Sequence, residues 1–196
     1  RSLIFKLYDI KDERVNEPNF QAARITVILG TSRPNSYTSK ALLPIIDELK
    51  INNVPFDLID PSKLGLLWPG IDGDERDALK IKDICSQADG IIFSTPEYHG
   101  SMSACAKLII ENLGFPSVLA GKPIVILGVA AGSAGAIKSL EQLRCVLSHI
   151  GAIVLPGPVS VASVDNVFGS DGLCGDPTIE KRLRELVRIL MDYIDP

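Results

Sequence analysis

Three short stretches carry residue types that could hold an anion or a flat ring. The first, Gly30-Thr31-Ser32-Arg33-Pro34-Asn35-Ser36-Tyr37-Thr38, offers a glycine, four hydroxyl side chains from Thr31, Ser32, Ser36 and Thr38, and one guanidinium, all running into a helical pattern. Backbone N–H groups and the positive end of a helix dipole favour an anion at such a place, and hydroxyls add neutral donors. The competing reading is a polar loop in which Ser36 merely caps the helix that follows. The second stretch, Thr95-Pro96-Glu97-Tyr98-His99-Gly100-Ser101, places an aromatic ring and pliant backbone directly after an apolar run, where a flat ring system could lie. Taken singly, Tyr98 reads as a half-buried core aromatic and His99 as a solvated loop residue. The third, from Gly128 through Ala131, Gly132 and Gly135, is a run of small residues ahead of another helical pattern. Only small side chains let a ligand approach the backbone closely, although a loose connection would have the same composition.

Familiar alternatives fail on spacing. There is no G-x-x-x-x-G-K-[ST], and no G-x-G-x-x-G follows the first apolar run, which leaves a mononucleotide or a flavin phosphate as the fitting anion. A G-x-S-x-G elbow is also missing, so a hydrolase of that kind is excluded. His99 and His149 lack further ligands at metal-binding spacing.

These stretches need elements to position them. Apolar runs at Ile25 to Leu29, Phe56 to Ile59, Ile91 to Phe93, Ile124 to Leu127 and Ala152 to Leu155 read as strands buried on both faces. Between them lie helical periods: Leu42, Ile45, Ile46 and Leu49; then Ala78, Ile81, Cys85 and Ala88 before Gly90; a shorter one from about Ser103 to Asn112; and Leu140, Leu143, Leu147 and Ile150 before Gly151. A final helix opens with Asp176 as N-cap and Pro177 at its first position, turning Ile179, Leu183, Leu186, Leu190 and Tyr193 inward. Residues 165–175, rich in glycine, read as the longest irregular segment. Alternation of strand and helix predicts a doubly wound α/β domain of three layers with a parallel sheet. Ligands of such sheets sit beyond the carboxyl ends of the strands, where strand order reverses. The three stretches follow the first, third and fourth strands, as one switch-point site requires.

With 196 residues the chain suits a single domain over residues 24–196, preceded by an extension over residues 1–23 that shows no signal-peptide core. Its formal charge of −4, with scattered basic residues, argues against nucleic acid or an anionic membrane surface as partner. No apolar run approaches the roughly 20 residues needed to cross a bilayer. Cys85, Cys105, Cys145 and Cys174 have no C-x-x-C spacing and read as free thiols, which suits a reducing, cytoplasmic setting.

The segment from Gly30 to Ser36 resembles the G-S-x-R-x-x-S phosphate loop of the NADPH-dependent FMN reductases, a flavodoxin-like family that includes chromate, azo-dye and quinone reductases. Pro96-Glu97-Tyr98-His99-Gly100-Ser101, with Lys107 beyond it, is similar to their P-E-Y-[HN]-x-S…L-K-N signature. Gly121-Lys122-Pro123 with Gly132 and Gly135 resembles the third block, and Asp171-Gly172-Leu173 the C-terminal end. The likeness covers about residues 24 to 196. Thr31 stands for the usual serine, and Ala104 and Leu108 stand where glycine and asparagine are common.

What the resemblance implies is a flavodoxin-like sandwich with a five-stranded parallel sheet in the order 2-1-3-4-5. It implies further that Thr31, Arg33, Ser36 and Thr38 hold an FMN phosphate, and that Pro96, Glu97, Tyr98, His99 and Gly100 border the isoalloxazine mainly through backbone. Gly132 and Gly135 line the other edge, and Tyr37, Ser101 and Ala131 complete the expected cofactor contacts. NADPH would reduce the flavin and a small acceptor, such as a quinone, azo compound, metal oxyanion or free flavin, would reoxidise it at the same site. No protein side chain is then needed as catalyst. A homodimer or homotetramer is implied, with a neighbouring subunit finishing the flavin edge. The alternative is a non-catalytic FMN electron carrier or sensor, although the T-x-T-G-x-T loop of classical flavodoxins is not present.

Overall fold

Alternation of apolar side chains along each central strand decides the architecture. The structure is a computed structural model that describes residues 23–169 and 171–195; the extension expected over residues 1–23 therefore lies, but for its last residue, outside the described residues. In chain order the elements are β1 (Ile25–Leu29), α1 (Tyr37–Ile51), β2 (Phe56–Ile59), a 3-10 turn (Pro61–Lys63), α2 (Arg76–Gln87), β3 (Gly90–Tyr98), β4 (Ser101–Met102) and α3 (Ala104–Glu111). There follow β5 (Pro123–Val129), α4 (Ile137–His149), β6 (Ile153–Val154), β7 (Val159–Val161), α5 (Val164–Val167) and α6 (Pro177–Ile194). Ile25, Val27 and Leu29 of β1, Ile92 of β3 and Val125 and Leu127 of β5 face one core, which α1 and α6 cover with Leu42, Ile45, Leu49, Leu183, Leu186 and Leu190. Ile28, Ile91, Phe93, Ile124 and Ile126 face the other, covered by Ile81 of α2, Ile109 of α3 and Leu140, Leu143 and Leu147 of α4. A sheet apolar on both sides has to be covered on both sides, which gives the three layers.

Strand order is β2-β1-β3-β5-β6, with every neighbouring pair on that path parallel. Leaving the tiny β4 aside, this is the expected 2-1-3-4-5 order. The sheet has seven strands rather than five, for two reasons. β4 folds back antiparallel onto the end of β3, pairing Glu97 with Met102 and Tyr98 with Ser101. The strand expected from Ala152 to Leu155 forms as the short β6, and a further strand that the sequence reading did not expect, β7, follows it; the two pair separately with the start and end of β5. Pro156 and Pro158 between them lack an N–H, and Gly157 takes a positive φ of 80°, so the chain must leave the ladder there. The Arg144 guanidinium of α4 fills the break by donating to the carbonyls of Val154 at 3.2 Å and Leu155 at 3.1 Å.

α6 starts as its sequence predicts: the Asp176 carboxylate accepts the N–H groups of Thr178 at 2.8 Å and Ile179 at 3.2 Å, and Pro177 opens the helix. Tyr193, expected inward, is half exposed, because Leu190 and Ile194 are the side chains that meet the start of β3 at Gly90. Among the described residues the longest irregular segment is 64–75, not 165–175. The former is tied down by the Asn112 side chain, which donates to the Leu67 carbonyl at 2.9 Å and accepts the Leu67 N–H at 3.3 Å. The latter begins in α5 and is closed by a bridge between Phe168 and Cys174. All four cysteines are free, and burial pushes the Cys85 thiol up to about 12.

α1 and α6 are joined by a buried carboxylate. Glu48 accepts from Arg188 at 2.9 and 3.0 Å, from Arg184 at 3.3 Å and from Asn52 at 3.4 Å. Burial by itself would raise this carboxyl, but the bonds from Arg188 and Arg184 outweigh it and hold it below the ordinary carboxylate range. A carboxyl lowered on folding stabilises fully above its unfolded value, and that contribution is lost as pH falls through the lowered folded value. Glu48→Gln should therefore cost about 1–2 kcal/mol near neutrality, since Arg184 keeps Asp47 and Glu180 as partners and Arg188 reaches solvent, and should flatten the acid side of the stability curve. Urea unfolding between about pH 7 and about pH 3 checks both parts.

Candidate flavin site

Parallel pairing of Leu29 with Ser94 and of Pro96 with Val129 brings the ends of β1, β3 and β5 to one edge of the sheet. From β1 the chain turns to β2 on one side and later to β3 on the other, so strand order reverses between β1 and β3. All three stretches singled out in the sequence leave the sheet at this edge.

The first begins in a tight contact between backbones. The Gly30 N–H donates to the Ser94 carbonyl at 2.9 Å, and a Cβ on Gly30 would fall 2.1 Å from that same oxygen. Thr31 is buried and its Oγ1 accepts the Arg33 N–H at 3.2 Å. Ser36 caps α1, accepting the Ser39 N–H at 3.1 Å, so the capping reading of this residue holds. Thr38, in the first turn, is 1% exposed, and its Oγ1 has no hydrogen-bond partner among the described residues. The exposed Arg33 side chain makes no ion pair with a described residue. Tyr37 is engaged elsewhere: its ring packs on Phe168 at 6.4 Å between centroids and lies under Lys40 Nζ at 4.8 Å, while that ammonium donates to the Gly169 carbonyl at 2.9 Å. These contacts dock segment 165–175 on the start of α1.

The second stretch is a hairpin. His99 and Gly100 form its two-residue turn with φ of 52° and 72°, the positive values that a type I′ turn demands at both positions. Histidine, like asparagine, is among the side chains that enter this region at tolerable cost. Pro96 is buried, while Tyr98 is 42% exposed and His99 is exposed, leaving the turn in solvent. Beneath the hairpin, Thr95 Oγ1 donates to the Pro96 carbonyl at 3.0 Å and accepts the Ser103 N–H at 3.1 Å. Ser103 caps α3 through the Ala106 N–H at 2.9 Å and donates to the Gly30 carbonyl, lacing the second stretch to the first.

In the third stretch Ala131 and Gly132 are exposed, and nothing lies within 4 Å of the place a Gly132 side chain would take. Gly135 is constrained instead: its φ is 71° and a Cβ would come 2.5 Å from Ser160 Oγ. That hydroxyl accepts the Ala136 N–H at 2.8 Å. Glu97 reaches across from the hairpin, its Oε2 accepting the Ser139 N–H of α4 at 3.0 Å.

A family model described as NADPH-dependent FMN reductase matches residues 23–166, which include all three stretches. The chain belongs to the NADPH-dependent FMN reductase family. It is 29% identical over 141 residues to a 2-hydroxy-1,4-benzoquinone reductase from a Burkholderia species, covering 70% of this chain and 76% of that one. It is 32% identical over 117 residues to an NADPH azoreductase from Bacillus sp. (strain OY1-2), covering 58% of this chain and 64% of that one. In structure it is similar to FerB, a flavoenzyme NAD(P)H:(acceptor) oxidoreductase from Paracoccus denitrificans, with a TM-score of 0.72, 24% identity and coverage of 88% and 97%. The chain is therefore an oxidoreductase whose site must serve FMN and NADPH.

The residues fit that cofactor. An anionic phosphate needs donors at a helix start, and the chain keeps there a buried hydroxyl without partner among the described residues, that of Thr38, together with the Arg33 guanidinium. Open space at Gly132 leaves room beside the hairpin for a ring. Sequence reasoning missed the residues that shore up these loops, namely Ser94, Ser103, Ser139 and Ser160. Only Ser103 gives a local signal, as a serine one residue ahead of a helical run. The others act across 24 to 66 positions, Ser94 through a bond to the Ile28 carbonyl at 2.8 Å. Also unforeseen is a groove of about 440 Å³ between α3 and α4, lined by Lys107, Ile110, Phe115, Cys145 and His149. It lies in the helix layer and includes none of the loop residues.

Gly30→Ala should cost about 3 kcal/mol or more, since its methyl group meets a backbone carbonyl that cannot rotate away. Thermal unfolding measures this, and a variant as stable as the parent would show that β1 and β3 can separate at this point.

Proposed function

We propose that the chain holds FMN across the three loops and uses it to carry electrons from NADPH to a small acceptor of the quinone or azo class. The observation that carries this reading is the buried hydroxyl of Thr38, without partner among the described residues, in the first turn of α1. A buried oxygen left unpaired costs about 1–3 kcal/mol, and a phosphate at the helix start would relieve it. Arg33 supplies a charged donor from the same loop, and Thr31 a hydroxyl held by the loop backbone. Ser36 accepts the Ser39 N–H and gives its own O–H to Ser39 Oγ at 3.2 Å, so it would serve a phosphate only by turning that O–H toward it.

When bound, FMN would supply the electron-transfer chemistry, with NADPH as the reductant and the small acceptor as the oxidant. The protein's part is to bind and orient. Backbone of residues 96–100 borders the ring on one side, with the exposed Tyr98 and His99 at the rim where NADPH and acceptor enter in turn. Ala131, Gly132 and Gly135 form the opposite side, small enough for a close approach. Ser101 is drawn to α4 by a bond to Gln142 at 2.5 Å and supports the hairpin from behind. Tyr37 serves by holding segment 165–175 against α1.

The relatives named for quinone and azo substrates support an acceptor of that kind. A homodimer or homotetramer suits the exposure of Phe115 at 94%, Trp68 at 60% and Ile71 at 61%, large apolar side chains that a second subunit would cover. Four free thiols suit a reducing, cytoplasmic setting. No helix among the described residues is long and apolar enough to cross a membrane.

Mixing the FMN-loaded chain with NADPH under anaerobic conditions should bleach the visible flavin absorbance, and adding a benzoquinone should restore it. Unchanged absorbance with FMN bound would leave a passive carrier or sensor instead. In fluorescence titrations Arg33→Ala should weaken FMN binding by about 1.5–3 kcal/mol, the scale of a hydrogen bond to a charged group. Thr38→Val should weaken it by about 1 kcal/mol, while the ligand-free chain unfolds at the same temperature or higher, because an unpaired hydroxyl is lost. Full affinity in either variant would remove that residue from the phosphate site.

A further inference from the structure

Helix starts at the loop edge are satisfied in different ways. α1 and α3 carry their own caps, Ser36 and Ser103. α4 has Ala136 at its N-cap and no side-chain cap of its own. The acceptor for its first turn comes from another element: Glu97 Oε2, on the hairpin, takes the Ser139 N–H at 3.0 Å. A carboxylate is favoured there by the positive end of the helix dipole as well as by the bond itself.

Two further close approaches join the hairpin to α4. A Cβ on Gly100 would lie 3.4 Å from Lys138 Cδ, and Ser101 Oγ bonds to Gln142. Hairpin residues 97, 100 and 101 are thus matched to α4 residues 139, 138 and 142. Since α4 follows directly on the small-residue loop, fixing its first turn to the hairpin fixes the separation of the second and third loops.

We propose that Glu97 is a positioning residue, whose carboxylate clamps the β3–β4 hairpin to the first turn of α4 and so sets the gap between residues 97–100 and 131–135. Its side chain acts on the helix, and neither touches the ring nor transfers a proton. The functional half of this inference rests on the flavin site proposed above; the clamp itself does not.

Three variants separate the alternatives. Glu97→Gln keeps an acceptor oxygen at the same reach without charge, Glu97→Asp keeps the charge one methylene short, and Glu97→Ala removes both. Amide hydrogen exchange at Ser139 is read in the ligand-free chain, with Leu42 and Ile45 of α1 as internal reference, and FMN affinity is read by fluorescence titration without NADPH. Glu97→Gln should keep Ser139 protection and FMN affinity within about threefold of the parent, whereas Glu97→Asp and Glu97→Ala should speed Ser139 exchange and weaken FMN by about tenfold each, with the α1 amides unchanged.

Rescue by Glu97→Asp but not Glu97→Gln would overturn the proposal in favour of a charge acting on the ring. Unchanged Ser139 exchange in Glu97→Ala would show that there is no clamp, and faster exchange at Leu42 and Ile45 as well would show a general loosening instead. Unchanged FMN affinity in Glu97→Ala with faster Ser139 exchange would overturn the positioning role. Should the parent chain fail to bind FMN, the flavin reading falls, and the positioning role falls with it, while Ser139 exchange still decides whether the clamp exists.

Discussion

Where β1 ends, the Gly30 backbone is pressed against the Ser94 carbonyl of β3 so closely that no side chain fits between them. That contact keeps the two strands paired up to the point where their connections diverge, and it launches the first loop beside the hairpin. Ser103 then joins the Gly30 carbonyl to the start of α3, so one short stretch of backbone carries the end of a strand, the phosphate-type loop and the cap of a helix on the opposite face. A larger residue at Gly30 would disturb all three together, because each is fixed relative to the others through it.

Around this point the structure settles most of its polar groups and leaves one open. Helix starts are closed by Ser36, Ser103, Asp176 and, from a distance, Glu97. Buried oxygens are costly when unpaired. The two that stay unpaired among the described residues are Thr26 Oγ1 within β1 and Thr38 Oγ1 at the start of α1, and only the second lies at the loop edge. Its position beside the phosphate-type loop is what a site built for an anion would leave to be completed by that anion.

The helix layers differ in how they are held. On one side α1 and α6 share an apolar seam and the Glu48 carboxylate with its two arginines, which fixes them together as a rigid back. On the other, α3 and α4 leave a groove between them, and Phe115, Trp68 and Ile71 stay exposed. Both faces leave large apolar side chains outward, Leu43 and Ile51 on the first and Phe115, Trp68 and Ile71 on the second.

Much of this is legible in the amino-acid order, since strands, helix phases and caps are local. β1 and β2 stand where their apolar runs predict, α6 begins at Asp176 and Pro177, and the family signatures mark the three loops without any knowledge of how they meet. Other features depend on partners far along the chain. Glu97 belongs to α4 through a bond spanning 42 positions, and the Tyr37 ring packs on Phe168 from far along the chain. The end of β6, with Arg144 on the carbonyls of Val154 and Leu155, and the exposure of Tyr193 are likewise decided by what packs against them. Sequence alone determined the elements and the chemistry at their ends, because periodicity, proline and capping act over one or two turns. Tertiary structure alone decided which polar side chains are consumed in holding the frame and which remain for a ligand, because that depends on distances that only folding sets.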